Sequence, residues 1–379
     1  MTMIALSKKE PFPIVFGDIL ITHPQRLGNF ILPSTSEDIM QYLTEPASFH
    51  PYRLNQKISI LKDNVCCAVA GDVPPLKEFL KRLRYFCASR PSVSISDMNA
   101  FLTAYQLPQS GSGVSFLLLV VEREHDGYPL GLFHRGNWTP LTTDLFGEVI
   151  AAGSGASSFL EGLQRDVTLR SGYPEDSLDR AIQRTVILIA SLLAEERSIL
   201  HTVKKHWGAG FEVVYFDGNK FQKLDNITYV INQGRYDAGG KVLEVPIPAV
   251  VLHYKYHGDL LVITAIAPFS GETEIADAEI IVRYKSFKVN AFVVEPLNFG
   301  QTIDLANLES KASFLSERVA MGYIIETEGG RYMPASFNVG NDLRVEYTHP
   351  SSLVITMKKE INEAIIKASE EQFPFFKKE

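Results

Sequence analysis

The residues that could do chemistry stand near the front of the chain. Thr2 follows the initiator methionine. Aminopeptidases that remove such a methionine require a small second residue, and threonine qualifies. The threonine so exposed carries an α-amine of pKa about 8, so an unprotonated fraction exists at neutral pH. That amine can take the proton of its own hydroxyl, directly or through water, and turn it into a nucleophile. Asp18 stands sixteen residues further on, in Ile14-Val-Phe-Gly-Asp18. Lys57 opens a later strand pair, and Gly71 follows it by fourteen residues, at a strand-to-helix junction. Ser154 lies in Gly153-Ser-Gly-Ala156, ahead of a helical segment. Read one at a time, Asp18 is a turn or edge residue, Lys57 a surface strand lysine and Gly71 a helix-entry glycine. Ser154 read alone is a helix N-cap.

In order and spacing these residues resemble the proteasome β-subunit and HslV family of N-terminal-nucleophile hydrolases, over about residues 2–224. Members share the threonine-to-aspartate spacing, a lysine at the start of the next strand pair, and an Ala-Gly before a helix. A later Gly-Ser-Gly leads into another helix. The resemblance implies roles. Thr2 is the nucleophile, Lys57 lowers the pKa of its hydroxyl, and Asp18 holds Lys57 ionised. The Gly71 N–H donates to the oxyanion, where one donor is worth about 3 kcal/mol. Ser154 bonds near the terminal amine. The chain departs from the family in three places. Thirty-eight residues separate Asp18 from Lys57, which makes 23–56 an insertion. The Asp-x-x-Ser-Gly-Gly segment of many members is replaced by Lys204-Lys-His-Trp-Gly-Ala-Gly-Phe211. Residues 225–379 have no counterpart in a simple ring subunit.

The elements that must position these groups follow from periodicity. Residues 2–7 with 13–22, and 57–62 with 65–71, pattern as hairpins. Leu76, Phe79, Leu80, Leu83 and Cys87 recur at helical spacing after Asp72 and Pro74, which suit a helix start. Ser96 is placed to cap a helix over 97–105. Ile182, Val186, Ile189, Leu192 and Leu193 form the stripe of a long helix, about 176–200. Beyond residue 225, strand-like runs dominate, with helices expected at 308–321 and 359–370. His253 and His257 share a strand face without a third ligand, so a metal site there is disfavoured.

The resulting expectation is an α+β chain. A four-layer αββα N-terminal-nucleophile domain spans 1–224, with the insertion at about 23–56, and a β-rich domain of no assigned role spans 225–379. The implied function is peptide or amide hydrolysis through an acyl-threonine, without metal or organic cofactor. Two alternatives stay open. One is a silent scaffold that binds a protein partner through the insertion and the C-terminal domain. The other is a small-molecule amidase, because a fold does not fix a substrate. Family members assemble, so a homo-oligomer is expected.

Composition bounds the partners. Of 379 residues, 45% are hydrophobic and 21% charged, which suits a globular chain. A net charge of −7 argues against a general nucleic-acid binder. Apolar runs such as Val114–Val121 fall short of the roughly 20 residues of a membrane span. Lys8 and Lys9 follow a short apolar run, the wrong order for a signal peptide. Cys66, Cys67 and Cys87 show neither metal-ligand spacing nor a disulfide framework. A reducing cytoplasm is the expected location.

Overall fold

The computed structural model describes residues 3–8, 12–43, 49–105, 114–123, 128–164, 177–236, 243–244, 248–297, 313–316, 318–326, 332–338, 342–363 and 367. Two antiparallel sheets lie face to face. The first has the order β11 (Trp138–Thr143), β12 (Gly147–Gly153), β1 (Met3–Ser7), β2 (Ile14–Asp18), β13 (Phe211–Phe216), β14 (Phe221–Lys223). The second has the order β10 (Leu130–Arg135), β9 (Val114–Val121), β8 (Val65–Gly71), β7 (Ile58–Lys62). Strand alternation sorts side chains between cores. On β1, Ile4 and Leu6 pack against Cys66, Ala68 and Leu119 of the second sheet, while Met3 and Ala5 face the opposite core.

Helices α1 (Val73–Ala88) and α2 (Ile95–Ala104) cover the outer face of the second sheet. Pro74 sits in the first turn of α1, and Asp72 occupies the N-cap position without a side-chain cap bond. Helix α2 is capped by Ser94 rather than Ser96. Ser94 and Asp97 form a capping box, because the acceptor must stand three residues before the amide it satisfies.

A larger sheet occupies most of the second half. Its order is β20 (Phe314–Leu315), β23 (Leu343–Thr348), β24 (Ser352–Lys358), β19 (Glu279–Pro296), β18 (Leu260–Ala276), β17 (Val250–His257), β15 (Ile227–Tyr236), β21 (Arg318–Glu326), β22 (Tyr332–Asn338). The short β16 (Leu243–Glu244) pairs with β15. β3 (Leu20–His23), which leads into the insertion, pairs with the insertion's β6 (His50–Gln56), β6 joins this sheet at β19, and the insertion adds a ribbon of β4 (Ile31–Leu32) and β5 (Glu37–Asp38). Three of the expected C-terminal strands merge into one long hairpin, β18–β19. Residues 314–315 and 318–321, expected as helix, are strand, because β21 pairs in parallel with β15 along nine residues. Residues 308–312 of that expected helix lie outside the described residues. No helix among the described residues is long and apolar enough to cross a membrane.

The four-layer αββα expectation is overturned. The chain is strand-rich and built of several antiparallel sheets, without helices covering both faces of a two-sheet sandwich. The decisive element is α4 (Leu178–Ile199), which follows α3 (Ala156–Leu163) and precedes α5 (His201–Lys204). Its stretch from Ile187 to Glu196 is buried on every side, so it is an internal helix and not an outer layer. On one side it meets the core of β1 and β2, through Met3, Ala5 and Phe16. On the other it packs against Tyr229, Leu252 and Ile263 of the large sheet. A Cβ at Gly322 of β21 would lie 2.6 Å from the Ala190 carbonyl oxygen, so strand and helix backbones almost touch.

Candidate active site

The site is built where β1 starts and β2 ends. Asp18 closes β2, opposite Phe211 of β13, and is fully buried. Its Oδ1 accepts the Met3 N–H at 2.7 Å and a proton from Lys57 Nζ at 2.5 Å. Its Oδ2 accepts the Gly208 N–H at 2.9 Å. Lys57 joins β6 to β7, is 2% exposed, and also donates to the Leu20 carbonyl at 2.7 Å. Burial lowers the pKa of Lys57 below that of free lysine, against the pull of Asp18 and Glu212.

The backbone before Lys57 is fixed from the large sheet. Asn55 donates to the Glu295 carbonyl at 3.1 Å, and Gln56 to the Asp259 and Val294 carbonyls at 2.6 and 2.7 Å. Behind Lys57 stands Glu212 of β13. It accepts from the Lys57 N–H and, at 2.8 Å, from the Ile58 N–H. Its other oxygen lies 3.7 Å from Lys223 Nζ. Burial raises the pKa of Glu212, while Lys223 and the two amides oppose the shift.

A third buried carboxylate, Glu196 near the end of α4, supports the loop behind Asp18. Its Oε1 accepts from Ser34 Oγ at 2.6 Å, and its Oε2 from Thr202 Oγ1 and the Ala209 N–H, both at 2.7 Å. Burial raises its pKa too. In this loop His206, Gly208, Ala209 and Gly210 all have positive φ, at 65°, 99°, 61° and 118°. Successive amides, Gly208 and Ala209, therefore reach two different carboxylates, Asp18 and Glu196. Sparsely populated backbone of this kind persists only where its surroundings over-determine it. The segment that lacks the family's Asp and Ser thus reaches Asp18 through main-chain atoms.

No protein-family model matches the chain, and no curated protein matches its sequence. The functional reading therefore rests on these residues.

Among the residues singled out from sequence, Asp18 and Lys57 are brought into contact. Gly71 ends β8 with φ of +118°, and two residues before it the Val69 N–H donates to the Lys57 carbonyl at 3.0 Å. Ser154 is exposed and follows Gly153, the register partner of Met3. Its hydroxyl donates to the His206 carbonyl at 3.5 Å. It is not the cap of α3; Gly155 holds that position, with a backbone no side chain caps. A Cβ on Gly155 would stand 2.4 Å from the Trp207 ring, which keeps that position glycine. Thr2 lies outside the described residues.

Sequence reasoning missed Glu196, Glu212, Gly208 and Ser34. A signal existed for the first two. Glu196 falls four residues after Leu192 and seven after Ile189, on the apolar stripe of α4, and Glu212 interrupts the buried run Phe211-Glu-Val-Val-Tyr-Phe216. The insertion touches the site. Ser34 binds Glu196, its carbonyl accepts from Arg197 at 2.8 Å, and the Phe49 ring meets His206 edge-on at 6.1 Å. Among the described residues no group of three or more His, Cys, Asp or Glu could hold a metal ion. His253 is a core residue, stacked on Phe314 at 3.8 Å and bonded to Thr228 at 2.9 Å. A surface cavity of about 590 Å³ lies on the outer side of α1, beside Lys81, Arg84 and Tyr85, away from Asp18.

Proposed function

We propose that this chain is an N-terminal threonine hydrolase that cleaves peptide or amide bonds once Met1 is removed. One observation carries the reading. A single buried carboxylate oxygen, Asp18 Oδ1, holds both the Met3 N–H and the Lys57 ammonium. The peptide nitrogen that follows Thr2 and the buried lysine therefore share one anchor. The resemblance of spacing to N-terminal-nucleophile hydrolases supports the same roles.

In this reading Thr2 Oγ1 attacks the substrate carbonyl carbon and gives its proton to the Thr2 α-amine. Lys57, held by Asp18, stabilises the developing alkoxide, and the Gly71 N–H donates to the oxyanion. Collapse breaks the C–N bond, and the leaving amine takes the proton. Water then attacks the acyl-threonine ester. Its proton returns through the α-amine to the threonine oxygen, and the carboxylic acid leaves. Ser154 helps to poise the amine. The substrate is a peptide or simple amide, the chain works as a homo-oligomer, and free buried thiols suit a reducing cytoplasm.

The test is the intact mass of protein made by its native host, followed by labelling with a threonine-directed electrophile. Loss of Met1, covalent labelling, and abolition of hydrolysis and labelling by Thr2→Ala are expected. A retained methionine sinks the hydrolase and leaves a scaffold, and hydrolysis that survives Thr2→Ala removes Thr2 as the nucleophile.

A further inference from the structure

Lys57 is the residue at which the chain passes from one sheet to another. β6 ends at Gln56, opposite Pro296 of the large sheet, and β7 begins at Ile58, opposite Ala68 of the second sheet. Lys57 itself belongs to neither ladder. A buried amide at such a joint must find its acceptor elsewhere. Glu212 supplies it. One oxygen, Oε1, takes the N–H of Lys57 and, at 2.8 Å, that of Ile58. The register partner of Glu212 is Gly17, where a Cβ would stand 3.2 Å from Ile58 Cγ1 and 3.4 Å from Glu212 Cγ, so the missing side chain gives both room.

A carboxylate without exposure needs a counter-ion. Among the described residues no hydrogen bond reaches Glu212 Oε2, but Lys223 Nζ lies 3.7 Å from it. The Lys223 side chain is 16% exposed, lies over the Tyr256 ring at 4.7 Å, and donates to Gln56 Oε1. Gln56 Nε2 in turn donates to the Asp259 and Val294 carbonyls. Contacts therefore run unbroken from the large sheet through Gln56, Lys223 and Glu212 to the amides at Lys57, whose ammonium meets Asp18. Burial pushes Glu212 toward its neutral form, and Lys223 is the largest influence against that.

We propose that Glu212 is a positioning residue: paired with Lys223, it fixes the main chain at Lys57 so that the Lys57 ammonium stands at Asp18, and the large sheet takes part in the site through Gln56. The inference rests on the threonine-hydrolase reading for what Lys57 then does. Glu212 acts through its acceptor oxygen, so a neutral acceptor of the same shape can replace the ion pair.

Two double variants of the full chain, freed of Met1, test this. Glu212→Gln with Lys223→Met removes both charges and keeps an acceptor at 212. Glu212→Leu with Lys223→Met removes the charges and the acceptor at similar volume. Neither strands a buried charge. Thermal melts establish that each is folded. Hydrogen exchange of the Lys57 and Ile58 amides should be about tenfold or more faster in the Leu variant than in the Gln variant. The maximal rate of Thr2 labelling by an electrophile should be about tenfold or more lower in the Leu variant than in the Gln variant, with the half-saturating concentration equal, because Lys57 acts on the reacting atoms and not on binding. Two folded variants with equal exchange of these amides, or with equal maximal labelling, overturn the proposal. So does a folded Gln variant in which the two amides lose protection, and that measurement decides the matter if the Leu variant does not fold. A chain that never labels in any form removes the hydrolase reading instead, and exchange alone then judges Glu212.

Discussion

Asp18 Oδ1 and Lys57 Nζ stand 2.5 Å apart with both side chains buried, and the same oxygen holds the Met3 N–H. Thirty-eight residues, most of them the insertion, separate the pair in sequence, so the contact is made by the fold and not by the local chain. Removing one partner of a buried pair strands the other's charge. Lys57→Met should therefore cost about 3–5 kcal/mol. Asp18→Asn should cost less on top of Lys57→Met than it does alone, with a coupling of at least about 1 kcal/mol. Urea unfolding of the four proteins checks this. Additive costs would mean that the pair does not couple.

Glu196 makes stability depend on pH. Its folded pKa is raised above the 4.5 of free glutamate, first by burial and also by the charge of Asp18. Between 4.5 and the raised value the folded chain binds more protons than the unfolded one. Stability from this group is therefore present at low pH and lost as pH rises through that window. Glu196→Gln keeps the shape and removes the titration, so its stability should fall less steeply above pH 4.5 than that of the unmodified chain. Glu212, raised in the same direction, keeps part of the slope. Parallel curves for variant and parent would refute the assignment.

The loop behind Asp18 needs glycine at position 208. Its φ is +99°, and a Cβ there would stand 2.3 Å from Glu196 Oε2 and 2.6 Å from Thr202 Oγ1. Gly208→Ala should cost at least about 2 kcal/mol through strain and crowding together. Gly218 supplies the control. Its φ is +90° but a Cβ there meets nothing within 4 Å, so Gly218→Ala should cost only about 1 kcal/mol. Thermal melts of the two variants should differ in that order, and equal shifts would remove the crowding argument.

The three thiols should be inert in the folded chain. Cys66, Cys67 and Cys87 are free and buried, and burial pushes all three thiols up, Cys87 to about 11. The thiolate is the reactive form, so a disulfide-exchange reagent should label none of them in native buffer and all three in denaturant. A fast-reacting native thiol would show that one of these sites opens.

Much of the local structure was legible in the residues. Backbone geometry sets the period of a strand at two and of a helix at 3.6. The stripe Leu76, Phe79, Leu80, Leu83 therefore announced α1, and continuous apolar runs announced the buried strands β8 and β9. The spacing that singled out Asp18, Lys57, Gly71 and Ser154 was likewise visible in one dimension.

Only the tertiary structure decided what covers what. The stripe of α4 marked one apolar face, but Ile187, Leu188 and Ala190 lie off it and are buried as well. Whether such a helix is an outer layer or an internal one depends on strands far along the chain, here β15 and β21, which no local period records. The same holds for Glu196 and Glu212. A carboxylate inside an apolar run signals a conflict, and its resolution lies in partners such as Ser34 and the amides of Lys57, Ile58 and Ala209, supplied from distant segments. The sequence determined most of the local strands and helices and offered candidate residues for chemistry. The fold decided which of those residues meet, because burial and hydrogen-bond satisfaction are settled by long-range packing.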